Sequence, residues 1–178
     1  NKTLFMEIVI ILGLIFFNGI LSMSEIAMVS ARKSRLETAA KKGSKTAKTA
    51  LRLANEPDRF LSTIQIGITL IGILTGLYSG EALAGDLARW LETIGIPQAH
   101  SLTLAKGIIV ILVTYLTLIL GELVPKHLGM NAPEKIARLI ARPMEVLSKI
   151  ASPFVWLLSA STQAVIRLTG LHTSTENK

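Results

Sequence analysis

The chain contains no cysteine, which excludes disulfides, thiolate metal sites and cysteine nucleophiles. Charge is scarce as well: 17% of its 178 residues are Asp, Glu, Lys or Arg, against about 25% in a typical soluble domain. That shortage argues against an ordinary cytosolic enzyme. Disorder is excluded too, because it requires low hydrophobicity. There is no P-loop, GxSxG, HExxH or strand-borne GxGxxG. His100, His127 and His172 lie far apart in sequence, so no nucleophile–base set assembles and the chain does not read as an enzyme. No repeat or low-complexity tract is visible. What is present is apolar: half the residues are hydrophobic and the mean hydropathy is +0.52.

The apolar residues are grouped. Ile8–Ser24, Phe60–Gly80, Gly107–Gly121 and Ile150–Ile166 carry no Asp, Glu, Lys or Arg. A spanning helix needs about 20 mostly apolar residues. The second run has that length, and the first and third reach it by including Glu25 or Glu122 near one end. The first lacks a small-x-small cleavage site, which argues against a signal peptide. The pattern predicts an all-α membrane protein with spans at about 5–27, 60–84 and 104–125. The fourth run, with Pro153 and several Ser and Thr residues, can be read as a span or as an interfacial helix. Residues 171–178 read as a polar tail.

The net charge of +7 has two readings, a nucleic-acid binder or the cytoplasmic flanks of a membrane protein. Its distribution favours the second. Residues 31–59 hold nine Lys/Arg against three acids, and 126–149 hold five against two. Residues 81–106 hold two against three. The positive-inside rule then puts the two basic segments in the cytoplasm and the N-terminus outside. No nucleic-acid partner is needed to explain the basic balance, since a solvated face near anionic lipid suffices.

Polar side chains within a span are costly and each is a functional-site candidate. Asn18, Ser22 and Glu25 share one helical face by their i, i+4, i+7 spacing, with Ser24 off that stripe. Interhelical hydrogen bonding is the plainer reading of Asn18 and Ser22, and pairing with Arg32 or Lys126 the plainer one of Glu25. Gln65, Thr69, Gly72 and Gly76 form a second narrow stripe, in which Gly72 and Gly76 have the spacing of a close-packing motif. The third run ends Gly121-Glu122-Leu123-Val124-Pro125-Lys126. Pro125 has no N–H, so the Gly121 carbonyl loses its helical donor and must be satisfied otherwise. A freed carbonyl, the neighbouring Glu122 carboxylate and nearby hydroxyls are hard oxygen ligands, suited to Mg²⁺, Ca²⁺ or Na⁺. A proline kink with Glu122 paired to Lys126 is an equally good reading of these residues alone.

Three blocks carry a family resemblance: Asn18 with Ser24-Glu25, Ala27, Ser30 and Arg32; Leu61 to Leu70; and Gly121 to Lys126. In this order they resemble the membrane domain of the CNNM/CorC proteins, over roughly residues 5–170. The resemblance implies three spans, an outside N-terminus, juxtamembrane helices at about 31–55 and 133–168 that include the fourth apolar stretch, and a homodimer in the bilayer of the cell inner (plasma) membrane. It implies cytoplasmic CBS domains that are not in this chain, so the chain reads as a membrane module. It implies Mg²⁺ export, driven by inward Na⁺. Carried over by motif, the ion site would use Asn18, Ser22 and Ser24, then Gln65 or Thr69, then Gly121 and Glu122, with Glu25, Gly72, Gly76, Pro125 and Lys126 in structural or gating roles. A regulatory or structural membrane anchor without transport activity is the competing reading.

Overall fold

The structure is a computed structural model that describes the backbone of residues 2–170 and the side chains of all of these except Glu81 and Ala82. The expected tail at 171–178 lies outside the described residues. The described chain is helical, with no strand. Its helices are α1 (Lys2–Ser30), α2 (Lys33–Lys41), α3 (Lys45–Ala54), α4 (Pro57–Tyr78), α5 (Ala84–Thr93), α6 (Gln98–Leu118), α7 (Val124–Asn131) and α8 (Pro133–Leu168). Two five-residue π-turns interrupt the sequence of α-helices, Ser79–Leu83 between α4 and α5 and Ile119–Leu123 between α6 and α7.

Three helical stretches are long and apolar enough to cross a membrane: Lys2–Ser30, Pro57–Tyr78 and Gln98–Asn131. Their outward faces are apolar, with Phe16, Phe17, Ile73, Leu77, Ile111 and Tyr115 all exposed. That is the surface a lipid-embedded bundle presents, since its backbone groups are satisfied inside each helix. The chain is therefore a multi-pass membrane protein. The fourth apolar run continues α8 straight through Pro143 and Pro153. Its serines, Thr162 and Gln163 dilute its hydropathy, and it is not among the three spanning candidates.

The segments between spans are folded as well. Residues 31–55 form two helices and not one, because Gly43 adopts φ +100° and ends α2. Ser44 then caps α3, its hydroxyl accepting the Ala47 N–H at 3.2 Å. At this end of the bundle α3 packs on α8 and α2 packs on α3. Arg35–Glu134 and Arg52–Glu145, each 3.2 Å, join them across the surface. Beneath lie Leu36, Ala50, Leu53, Phe60, Ile140 and Met144, one apolar cluster that also takes in Leu21 and Ile64 from the spans. At the other end α5 and α6 form a hairpin, turned by Gly95 at φ +105° and closed over Ala84, Ala88, Leu91 and Ala105.

Candidate cation site

α1 packs closely against the π-turn at 119–123 and against α7. Three glycines permit it. A Cβ on Gly19 would lie 2.9 Å from the Leu120 carbonyl oxygen and 3.0 Å from Pro125 Cγ. One on Gly121 would lie 2.9 Å from Asn18 Nδ2, and one on Gly129 would lie 2.8 Å from the Met23 carbonyl oxygen. Real Cβ atoms do not sit so close to backbone, so only glycine allows α1 and α7 to touch here. The fourth close glycine, Gly67, packs on Leu21 and fixes how α4 lies against α1.

Pro125 accounts for the π-turn. It stands in the first turn of α7 without an N–H, and the backbone upstream widens so that the Val124 N–H reaches the Ile119 carbonyl five residues back. The Gly121 carbonyl is met from the neighbouring helix. Asn18 Nδ2 donates to it at 3.2 Å, and Asn18 is only 4% exposed. The donor that proline removes is thus replaced by an amide side chain from α1.

Around this pair the structure gathers further oxygens. Ser22 is buried one turn along α1 on the same face. Thr117 flanks Gly121, with Cγ2 3.6 Å from the Cβ position there, and its hydroxyl is enclosed with no hydrogen-bond partner among the described residues. Thr117 was missed in the sequence; its only signal was a hydroxyl one turn before Gly121. Glu122, next in sequence to Gly121, is half-buried. Neither Glu122 nor Lys126 takes part in an ion pair among the described residues, so the i, i+4 pairing of the two is not made. Glu25 likewise pairs with neither Arg32 nor Lys126.

Other expected residues fall elsewhere. The Ser24 hydroxyl is buried but turned back on its own helix, donating to the Ile20 carbonyl at 2.7 Å. Gln65 and Thr69 are exposed on the outer face of α4, where Gln65 Nε2 donates to Thr69 Oγ1 at 3.1 Å. They do not join Asn18 and Gly121. Gly72 and Gly76 share that outer face and have no atom within 4 Å of their Cβ positions, so they pack on nothing within the chain. The reason is the helical phase: Phe60, Ile64, Gly67 and Ile71 occupy the face that meets α1. The buried hydroxyls of α4 are instead Thr63 and Thr75, each donating to the carbonyl four residues back.

The candidate donors are the Glu122 carboxylate and the neutral oxygens of Asn18, Gly121, Ser22 and Thr117. No three His, Asp or Glu side chains converge among the described residues. Such a donor set fits a hard cation that retains part of its water, and not a soft transition metal.

Comparison with known proteins follows the same segments. The model of the cyclin M (CNNM) transmembrane N-terminal domain matches residues 9–178. A UPF0053 protein of Synechocystis sp. is 48% identical over 166 residues, 93% of this chain and 37% of that protein. The UPF0053 protein YhdT of Bacillus subtilis is 32% identical over 154 residues, 86% of this chain and 33% of its own length. The polyamine export protein of Escherichia coli is 30% identical over 162 residues, 91% of this chain and 36% of that protein. The chain thus spans about a third of the length of these curated relatives.

Proposed function

We propose, on the premise that this chain belongs to the CNNM family of transmembrane domains, that it carries Mg²⁺ out across the cell inner membrane with Na⁺ as the coupling ion. The observation that supports this reading is the buried Asn18–Gly121 pair at the π-turn beside Glu122. Without cargo, the Asn18 amide hydrogens occupy the carbonyl. Turned over, the same amide presents Oδ1, and the Gly121 carbonyl, the Thr117 and Ser22 hydroxyls and the Glu122 carboxylate complete a partial oxygen shell. Mg²⁺ sheds water reluctantly. One charged and several neutral oxygens replace enough of that hydration to hold it while still allowing release. Na⁺ is also an oxygen-seeking ion and competes for overlapping ligands.

The basic segments at 31–59 and 126–149 support a cytoplasmic position for α2, α3 and α8, with the α5–α6 hairpin outside. The whole protein would continue into cytoplasmic CBS domains and work as a homodimer. The Escherichia coli relative gives a second reading, export of a polyamine.

Flux in proteoliposomes of the full-length protein tests both. Mg²⁺ movement is followed with and without a Na⁺ gradient, alongside the same vesicles loaded with spermidine. Wild type should move Mg²⁺ in response to Na⁺, and Glu122→Gln should reduce that flux about tenfold or more. Spermidine flux without Mg²⁺ flux would replace the reading, and unchanged Mg²⁺ flux in Glu122→Gln would remove the carboxylate from it.

A further inference from the structure

The chain holds a second π-turn, Ser79–Leu83, and no proline explains it. α1 packs against this turn as well. The contact lies toward the end of the bundle opposite α2 and α3. Its depth follows from the Leu21–Gly67 contact, where Leu21 Cδ1 is 2.7 Å from the glycine's Cβ position. α1 and α4 run antiparallel. Fourteen residues back from Leu21 is Glu7, and fourteen on from Gly67 is the middle of the π-turn.

Glu7 is no ordinary surface acid. Its Oε2 is enclosed and has no hydrogen-bond partner among the described residues. It shares the buried face of α1 with Ile11, Ile15, Asn18 and Ser22 by the i, i+4, i+8, i+11, i+15 spacing. One seam of α1 therefore carries a carboxylate at one end and the Asn18 site at the other, about 16 Å apart at the helical rise. A carboxylate oxygen enclosed without a partner is costly. A π-turn can help offset that cost, because its widened backbone can leave a carbonyl without its helical donor. Ser79, at the start of the turn, is buried, and its hydroxyl donates to the Gly76 carbonyl at 3.3 Å. Its oxygen lone pairs remain available. Lys106, which lines a cleft with Gly76 and Gly80 on the turn's other flank, makes no ion pair with Glu7.

We propose that Glu7, the Ser79 hydroxyl and the backbone of the Ser79–Leu83 π-turn form a second hard-cation site on the α1 seam, toward the opposite side of the membrane from the Asn18 site. Both sites combine one acid, a hydroxyl and the backbone of a π-turn. The inference rests on reading the domain as a cation carrier, but not on the roles given to Glu122 or Asn18. Two sites on one helix give a translocated ion a place to leave and its exchange partner a place to enter.

Calorimetric titration of the full-length protein in detergent, with MgCl₂ and NaCl in separate runs, tests it. Wild type should show two binding events per chain across the two salts. Glu7→Gln should lose one event or weaken it about tenfold or more, and keep the other. Glu122→Gln should do the converse. Glu7→Asp should restore part of the lost event, which a merely structural role would not require. Size-exclusion profiles establish that the variants fold. If Glu7→Gln does not fold, Ser79→Ala should weaken the same event. Whichever salt shows the Glu7-dependent event identifies the ion. Titrations of folded Glu7→Gln or, in its place, Ser79→Ala that match wild type in both salts would overturn the proposal while leaving the Glu122 reading intact. Loss of an event in Glu7→Gln with none lost in Glu122→Gln would uphold the second site and overturn the first.

Discussion

Asn18 combines two tasks that are usually separate, a structural hydrogen bond and a place in the candidate site. Its amide is the donor for a carbonyl that proline deprived of one. Asn18→Leu leaves that carbonyl unpaired and should lower stability by about 1–3 kcal/mol, read as a lower thermal midpoint in detergent. Asn18→Asp sharpens the distinction. Its carboxylate cannot donate to the Gly121 oxygen and faces it with like partial charge. The variant should be less stable than wild type in EDTA and recover with added Mg²⁺, whereas Asn18→Leu should not recover. Equal thermal midpoints with and without Mg²⁺ in Asn18→Asp would leave only the structural role. Gly129 is a control without ligand chemistry. Its Cβ would meet the Met23 carbonyl and Ile26, and backbone cannot yield. Gly129→Ala should destabilise by about 1–3 kcal/mol through overpacking, in EDTA and Mg²⁺ alike.

Among the elements, the spans were legible in the sequence because length and missing charge are sufficient signals for a bilayer helix. The orphaned carbonyl of Gly121 was legible because Pro125 removes its donor; the π-turn around it was not, nor was the carbonyl's partner, which comes from a residue over a hundred positions away. The turn at 79–83 gave no warning, having no proline and only a loose scatter of glycines. Gln65 and Thr69 drew attention as polar residues in an apolar run, but a stripe has no direction until a neighbouring helix fixes its phase. Gly67 does so here, turning Gln65 and Thr69 outward. Pro125→Ala tests the element directly. Alanine restores the N–H, which can donate to the Gly121 carbonyl four residues back and compete with the π-turn. The variant should fold at least as stably as wild type and bind Mg²⁺ about tenfold or more weakly. Unchanged affinity would mean that the site does not need the freed carbonyl.

For the whole molecule, sidedness and assembly each have a direct probe. The absence of cysteine makes single-cysteine labelling clean. Gln98→Cys at the α5–α6 hairpin should react with an impermeant thiol reagent on intact cells, and Lys41→Cys at the α2–α3 turn should react only after permeabilisation; both sites are exposed. Labelling of both from outside would break the three-span topology. The outer face of α4 is where the proposed homodimer is expected to meet. Gln65, Thr69, Gly72 and Gly76 lie there in one stripe, exposed along a helix long and apolar enough to span. Lipid gives the Gln65 amide no partner beyond Thr69, and open glycines leave room for a second backbone to approach. An isologous two-fold contact would place the same stripe against itself, burying both amides. Gly72→Leu together with Gly76→Leu fills that space, and no atom of the described residues lies within 4 Å of either Cβ position. Light scattering in detergent should therefore give about twice the 19.2 kDa chain mass for wild type and one chain for the double variant. A wild-type mass of one chain would rule out the homodimer, and a dimer that survives both leucines would move its interface off α4.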